Sequence, residues 1–245
     1  FALFMIGDVP QSFAEKSAGI SMDAIREGIR FILGKPIILS SMLLDFVATF
    51  FASANTLMPI IATTVLKVGV VEYGYLSAAS AVGAVTVALA ISQVKVIRRQ
   101  GPMFMGAVIV FGIATVIFGL TRSFWVAWLA IATTGAADGV STIIRNTIRQ
   151  LQTPDHIRGR MTSINQIFFQ GGPQLGEMEA GSVAQFFGAS FAVISGGIGC
   201  IIGTLLIMWK WPQLMHYDGH EPIEGEIAPS PSSGASIVSN RVRRP

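Results

Sequence analysis

Apolar residues in this chain run in long blocks, and the polar and charged positions gather between them. A helix needs about 20 mostly apolar residues to cross a bilayer. Six blocks meet that standard: Ile37–Ile61, Tyr73–Val94, Pro102–Leu120, Trp125–Ile144, Met161–Phe187 and Ser190–Trp211. The pattern predicts an all-α polytopic membrane protein with six transmembrane helices and short connections, because helices satisfy their own backbone groups in lipid. The fifth block is the most polar, with Gln166, Gln170, Gln174, Glu177 and Glu179. It is still read as a span, because the chain must cross between flanking segments of opposite sidedness.

The segments outside the blocks have their own signals. Ser21–Gly34 predicts an amphipathic helix on the inner membrane surface: Met22, Ile25, Ile29 and Ile32 share one face, and Gly34–Pro36 ends it. Phe1–Ile6 is apolar and stops at Gly7–Asp8, as the end of a preceding span would, so the chain reads as a piece of something longer. From Pro212 on, the sequence is rich in Pro and Ser and reads as a disordered cytoplasmic tail. The chain thus divides into a middle loop with its amphipathic helix (1–35), a six-helix half (36–211) and a tail (212–245).

Composition sharpens the class. Hydrophobic residues make up 51% of the chain and charged residues only 13%, against roughly 25% charged in an average soluble domain. A soluble enzyme of this length would need far more charge to cover its surface. Cys200 is the one cysteine, which excludes an intrachain disulfide and a cysteine-rich metal site. No histidine lies in a predicted span. His216 and His220 fall in the Pro-rich tail and His156 in a loop, so no metal or cofactor is expected, nor any nucleic-acid partner. The hydrolase signatures HExxH and GxSxG are absent, and Ala137-Asp138-Gly139 lacks the later aspartates that phosphatidyl transfer needs, so no enzyme is expected.

The positions of Lys and Arg orient the spans. Before the first span stand Lys16, Arg26, Arg30 and Lys35; alternate connections add Lys95, Arg98 and Arg99, then Arg145, Arg149, Arg158 and Arg160, and the tail adds Lys210, Arg241, Arg243 and Arg244. That side carries fifteen basic residues, and the other carries only Lys67 and Arg122. Positive loops stay cytoplasmic, so both termini are predicted inside.

Ionisable groups at membrane depth are costly and suggest function. Asp45 lies roughly 12 Å into the first span, and Asp138 roughly 9–10 Å from the inner end of the fourth. The two carboxylates suit either a protonation pair or cation site, or a helix-packing pair with Arg145 or a backbone partner. Arg145 follows Asp138 by two helical turns and shares its face. In the fifth span, Gln166, Gln170, Gln174 and Glu177 fall within about 80° of one another on a helical wheel, and Gly181 continues the stripe. Such a face predicts a water-filled cavity or a protein neighbour rather than lipid. Gly171-Gly172-Pro173 predicts an interrupted helix at mid-depth, a common mark of transporter binding sites. Glu179 falls opposite the stripe. Gly199 and Gly203 form a GxxxG pattern suited to close helix packing.

Several motifs agree with a known family. Leu151-Gln-Thr-Pro-Asp155-His-Ile-Arg158-Gly159-Arg160, followed by Met-Thr-Ser-Ile-Asn165, resembles the loop before the eleventh helix of major facilitator superfamily transporters, in the enterobactin-exporter-like branch. Gly135-Ala-Ala-Asp138 with Ile144-Arg145, Gln174-Leu-Gly-Glu177-Met-Glu-Ala-Gly181, Gly119-Leu-Thr-Arg-Ser-Phe-Trp125 and Arg26-Glu-Gly-Ile-Arg-Phe31 fit the same branch. The resemblance covers about residues 22–215, in order. It implies the C-terminal half of a twelve-helix carrier, helices seven to twelve, whose partner is a missing N-terminal half. It further implies alternating-access efflux of a small molecule, siderophore- or drug-like, across the bacterial inner membrane by a proton antiporter. Asp155, Arg158, Gly159 and Arg160 then form a cytoplasmic loop motif, whose arginines set loop geometry or meet acidic lipid or helix ends. The resemblance puts the helices of Asp45 and Asp138 beside the central cavity. Asp138 is the stronger coupling candidate because Arg145 shares its face. The alternative is a non-transporting scaffold or a degenerate half-carrier.

Overall fold

The computed structural model describes residues 22–52, 56–94, 97, 99–153 and 158–219. Among these residues the chain is helical throughout, without strands: α1 Met22–Gly34, α2 Pro36–Ala52, α3 Met58–Thr64, α4 Val70–Ser92, α5 Gln100–Leu120, α6 Phe124–Gln152, α7 Arg158–Phe187, α8 Ala189–Lys210 and α9 Pro212–Met215. The apolar stub at residues 1–6 and the tail beyond residue 219 lie outside the described residues.

Four helices, α4, α5, α6 and α8, are long and apolar enough to cross a membrane. Their ends fall within three residues of the predicted blocks, except that α6 runs eight residues past Ile144, to Gln152. The first block is not one continuous helix. It gives α2 and then the separate short α3, whose Pro59 sits in the first turn, where its missing N–H costs nothing. The amphipathic segment forms α1, and Gly28–Gly34 meets Pro36–Phe51 at a 101° bend, so α1 runs across the end of α2. Counting that bent pair as a span gives five. The fifth block forms α7, 30 residues long, ample for a crossing but too polar to qualify by composition.

In lipid, helices gain little from the hydrophobic effect against one another, so close van der Waals packing decides which faces meet. Small residues set those faces here. α4 packs on α6 through reciprocal glycines: Gly83 faces the backbone of Ala132 and Ala136, and Gly135 faces the backbone of Ser80. α5 lies between α6 and α8, and Gly112 and Gly197 bring α5 and α8 together. α2 packs on α7 and α8. Gly199 and Gly203 receive Phe51 and Val47 of α2, so the GxxxG pattern serves packing inside the chain.

A side chain at Gly135 would meet the Ser80 carbonyl, which is backbone and cannot step aside. Gly135→Val is therefore expected to cost about 1–3 kcal/mol, the usual penalty of overpacking. Gly106→Val, at a site with open space around it, should be near neutral. Thermal unfolding of the full protein in detergent measures both. Equal stability of the two variants would refute the α4–α6 contact.

The outer faces of α5 and α8 expose Val110, Ile113, Ile117, Leu205 and Leu206, as lipid-facing helices do. Trp125 and Trp209 stand exposed near helix ends, where indole rings favour the membrane interface. The chain after α8 folds back rather than leaving at once. Leu214 and Tyr217 are buried, and the Gly101 N–H donates to the Tyr217 carbonyl at 3.0 Å. Gln152 Nε2 donates to the Tyr217 hydroxyl at 3.3 Å. Pro212–Met215, at the start of the segment read as tail, is thus helical and packed against α2, α5 and α8.

Candidate functional site

Three helices meet at a buried charge pair. Asp45 sits midway along α2 and Arg145 two turns from the end of α6, and both side chains are almost fully buried. Arg145 Nη1 donates to Asp45 Oδ1 in an ion pair. Arg145 Nη2 donates to Thr142 Oγ1 at 2.9 Å, three residues back on the same helix face. From α7, the Phe169 ring lies 5.4 Å from the guanidinium carbon and offers its π-face to the cation. Charges withdrawn from water persist only when paired and hydrogen-bonded. The pair therefore ties α2 to α6, with α7 as a lid of one ring.

The partner of Arg145 is Asp45, across a hundred residues of sequence, and not Asp138 on its own helix. Two turns on one helix leave the Asp138 carboxylate too far away, whereas α2 delivers Asp45 directly. Asp138 is exposed, at a shallow open cleft lined also by Thr49, Val108, Phe111 and Ser141. Among the described residues no cation pairs with Asp138. Ser141, one turn on, is buried, and among the described residues its Oγ has no hydrogen-bond partner. Among the described residues the cleft thus presents one carboxylate without a cation and one unpartnered hydroxyl beside Thr49 and apolar side chains.

The polar stripe of α7 points away from the packed interior. Gln166, Gln170, Gln174, Glu177 and Gly181 are all exposed, and none of them joins the Asp45–Arg145 pair. Glu179 is half-buried. The predicted break at Gly171-Gly172-Pro173 does not occur: α7 runs unbroken with Pro173 inside it. Gly172 packs on Thr49 and Phe46 of α2, so the small residues let α7 approach closely, and that packing holds the helix across the proline. Arg158, Gly159 and Arg160 form the first turn of α7 rather than a loop, because the connection from α6 is only a few residues long. Asp155 lies outside the described residues.

Sequence reasoning missed Phe169, Asn165 and the role of Arg149. Arg149 follows Arg145 at i+4, so helical spacing alone puts both on one face. Nothing in the local sequence marks Phe169, whose contact depends on how α7 crosses α6. A packing pair between Arg145 and one of the carboxylates was among the alternatives, but which carboxylate was not legible.

Apolar helices of bilayer length packed through glycines, with a charge pair buried among three of them, define a polytopic helical membrane protein. The chain belongs to the transmembrane secretion effector family of the major facilitator superfamily, whose profile matches residues 13–227. It is 23% identical over 196 residues to the enterobactin exporter EntS of Escherichia coli (strain K12), a match covering 80% of this chain and 47% of that protein. It is 25% identical over 188 residues to the enterobactin exporter EntS of Shigella boydii serotype 18, covering 76% and 45% respectively. The chain spans about half the length of the curated relatives it matches. Family and relatives are transporters, not enzymes.

Proposed function

We propose that this chain is the C-terminal six-helix half, helices seven to twelve, of a secondary active exporter in the bacterial inner membrane. It works by alternating access with an N-terminal half and is coupled to the proton gradient. The observation that carries this reading is the pairing of one intramembrane carboxylate, Asp45, with Arg145 while a second, Asp138, stands uncompensated on an open cleft. A carrier needs a carboxylate whose surroundings change as the two halves rock, so that each conformation binds protons differently. By linkage, a gradient then drives the cycle. Asp138 meets that requirement on an exposed face; Asp45 meets it if rocking parts α2 from α6.

In this reading α2 and α3 together make the first, broken span. α7 is the fifth span, its glutamine stripe turned to a water-filled cavity or to the other half. The substrate is a small molecule, and the relatives' names favour the siderophore class.

Orientation has a direct test in the full-length protein. Reporter fusions after Lys67 and Arg122 should report the outside, and those after Arg99 and Pro154 the inside. One reversed loop overturns the map.

A further inference from the structure

At the inner end of α6 the charges do not cancel. Arg149 lines the same cleft as Asp45 and Arg145, together with Ser41 of α2 and Asn165 of α7. Asp45 is the one carboxylate among those lining residues, and it is already paired with Arg145. Arg149 is half-buried and spends Nη2 on a neutral partner, Asn146 Oδ1, at 2.6 Å. Among the described residues no carboxylate pairs with it. Asn165 is also half-buried, and among the described residues its carboxamide makes no hydrogen bond. Two guanidinium groups face one carboxylate, so the cleft carries a net positive charge with unused N–H donors on two helices.

Depth tells what could meet that charge. α6 has 29 residues and is therefore about 43 Å long, against a hydrocarbon core of about 30 Å. Arg149 lies in its last turn, so it reaches headgroup level. A guanidinium presents a planar fork of donors that fits a phosphate oxygen pair. Basic pockets between helices on the cytoplasmic side suit phospholipid headgroups. We infer that Arg149 and Asn165 form a phosphate-binding subsite at the mouth of the cleft between α2, α6 and α7. Arg145, held by Asp45, forms its inner wall and adds positive potential without being the anchor. The phosphate can come from an anionic phospholipid of the inner leaflet or from a soluble phosphate. The subsite rests on the orientation proposed above, which puts this end of α6 inside, and not on transport.

The test uses the full-length protein in neutral detergent. Phosphatidylglycerol and diacylglycerol, which lacks phosphate, are titrated and followed by native mass spectrometry; inorganic phosphate is titrated by calorimetry at constant ionic strength. Binding of phosphatidylglycerol but not diacylglycerol, weakened about tenfold or more in Arg149→Gln and less in Arg149→Lys, establishes the subsite with lipid as its source. Binding of inorganic phosphate alone, with the same dependence on Arg149, establishes it with a soluble source. Asn165→Ala leaves the buried ion pair intact and should weaken whichever ligand binds, which covers the case that Arg149→Gln does not fold. No binding of either phosphate species, or affinity unchanged in the Arg149 and Asn165 variants, overturns the inference.

Discussion

Asp45→Asn should destabilise the full-length protein by about 3–5 kcal/mol, the usual consequence of removing one partner of a buried ion pair. Asparagine preserves the shape and one hydrogen bond. It leaves the Arg145 charge buried, with only the Thr142 hydroxyl and the face of Phe169 against it. Those neutral partners do not offset the lost hydration of a cation. Adding Arg145→Gln to Asp45→Asn should recover most of the loss, because an uncharged pair no longer pays for desolvation. Denaturant unfolding in detergent reads both variants. A single mutant as stable as the parent, or a double mutant worse than the single, would show that the two residues do not share a buried bond.

The second large effect is on coupling. Asp138→Asn in the full-length protein should bring gradient-driven efflux down to the level of empty vesicles while substrate still binds. The carboxylate has no cation partner among the described residues and faces a cleft beside the idle Ser141 hydroxyl. Its protonation therefore depends on what the cleft admits, and opening or closing that cleft changes its proton affinity. Asp45→Asn should give the same effect or a milder one, since Asp45 is already paired with Arg145 and becomes available only if the helices part. Efflux measured in membrane vesicles across a range of imposed pH gradients checks this. Unchanged pH-dependent efflux in both variants would move coupling to Glu177 or to the other half.

Helix identity was legible wherever local composition decides it. The blocks that became α4, α5 and α8 are apolar nearly all round, and α6 is apolar from Phe124 to Ala137 apart from its threonines, so no tertiary contact is needed to read them. The amphipathic α1 was legible for a similar reason, since its 3.6-residue period is local. The break between α2 and α3 was not, because Pro59 inside an apolar block is compatible with either a kink or a new helix start. The error at Pro173 ran the other way. A proline after two glycines reads as a break, but Gly172 is buried against Phe46 and Thr49, and that packing overrides the local preference. At the site, the sequence marked Asp45 and Asp138 because charge in a membrane block stands out, and Arg145 because it follows Asp138 on the same helix face. It left the partner of Arg145 open between the two carboxylates, because spacing along one helix is readable and the approach of α2 is not. The α7 glutamines share one exposed face, as their helical spacing requires.

The most direct test of the carrier reading is transport itself. The full-length protein, reconstituted in proteoliposomes with a catecholate siderophore as the probe and no nucleotide present, should move the probe when a pH gradient is imposed. That movement should stop when a protonophore collapses the gradient, and it should be absent with Asp138→Asn. Probe movement indifferent to the gradient, or a folded protein that binds the probe and moves none under any gradient, would contradict a proton-coupled exporter.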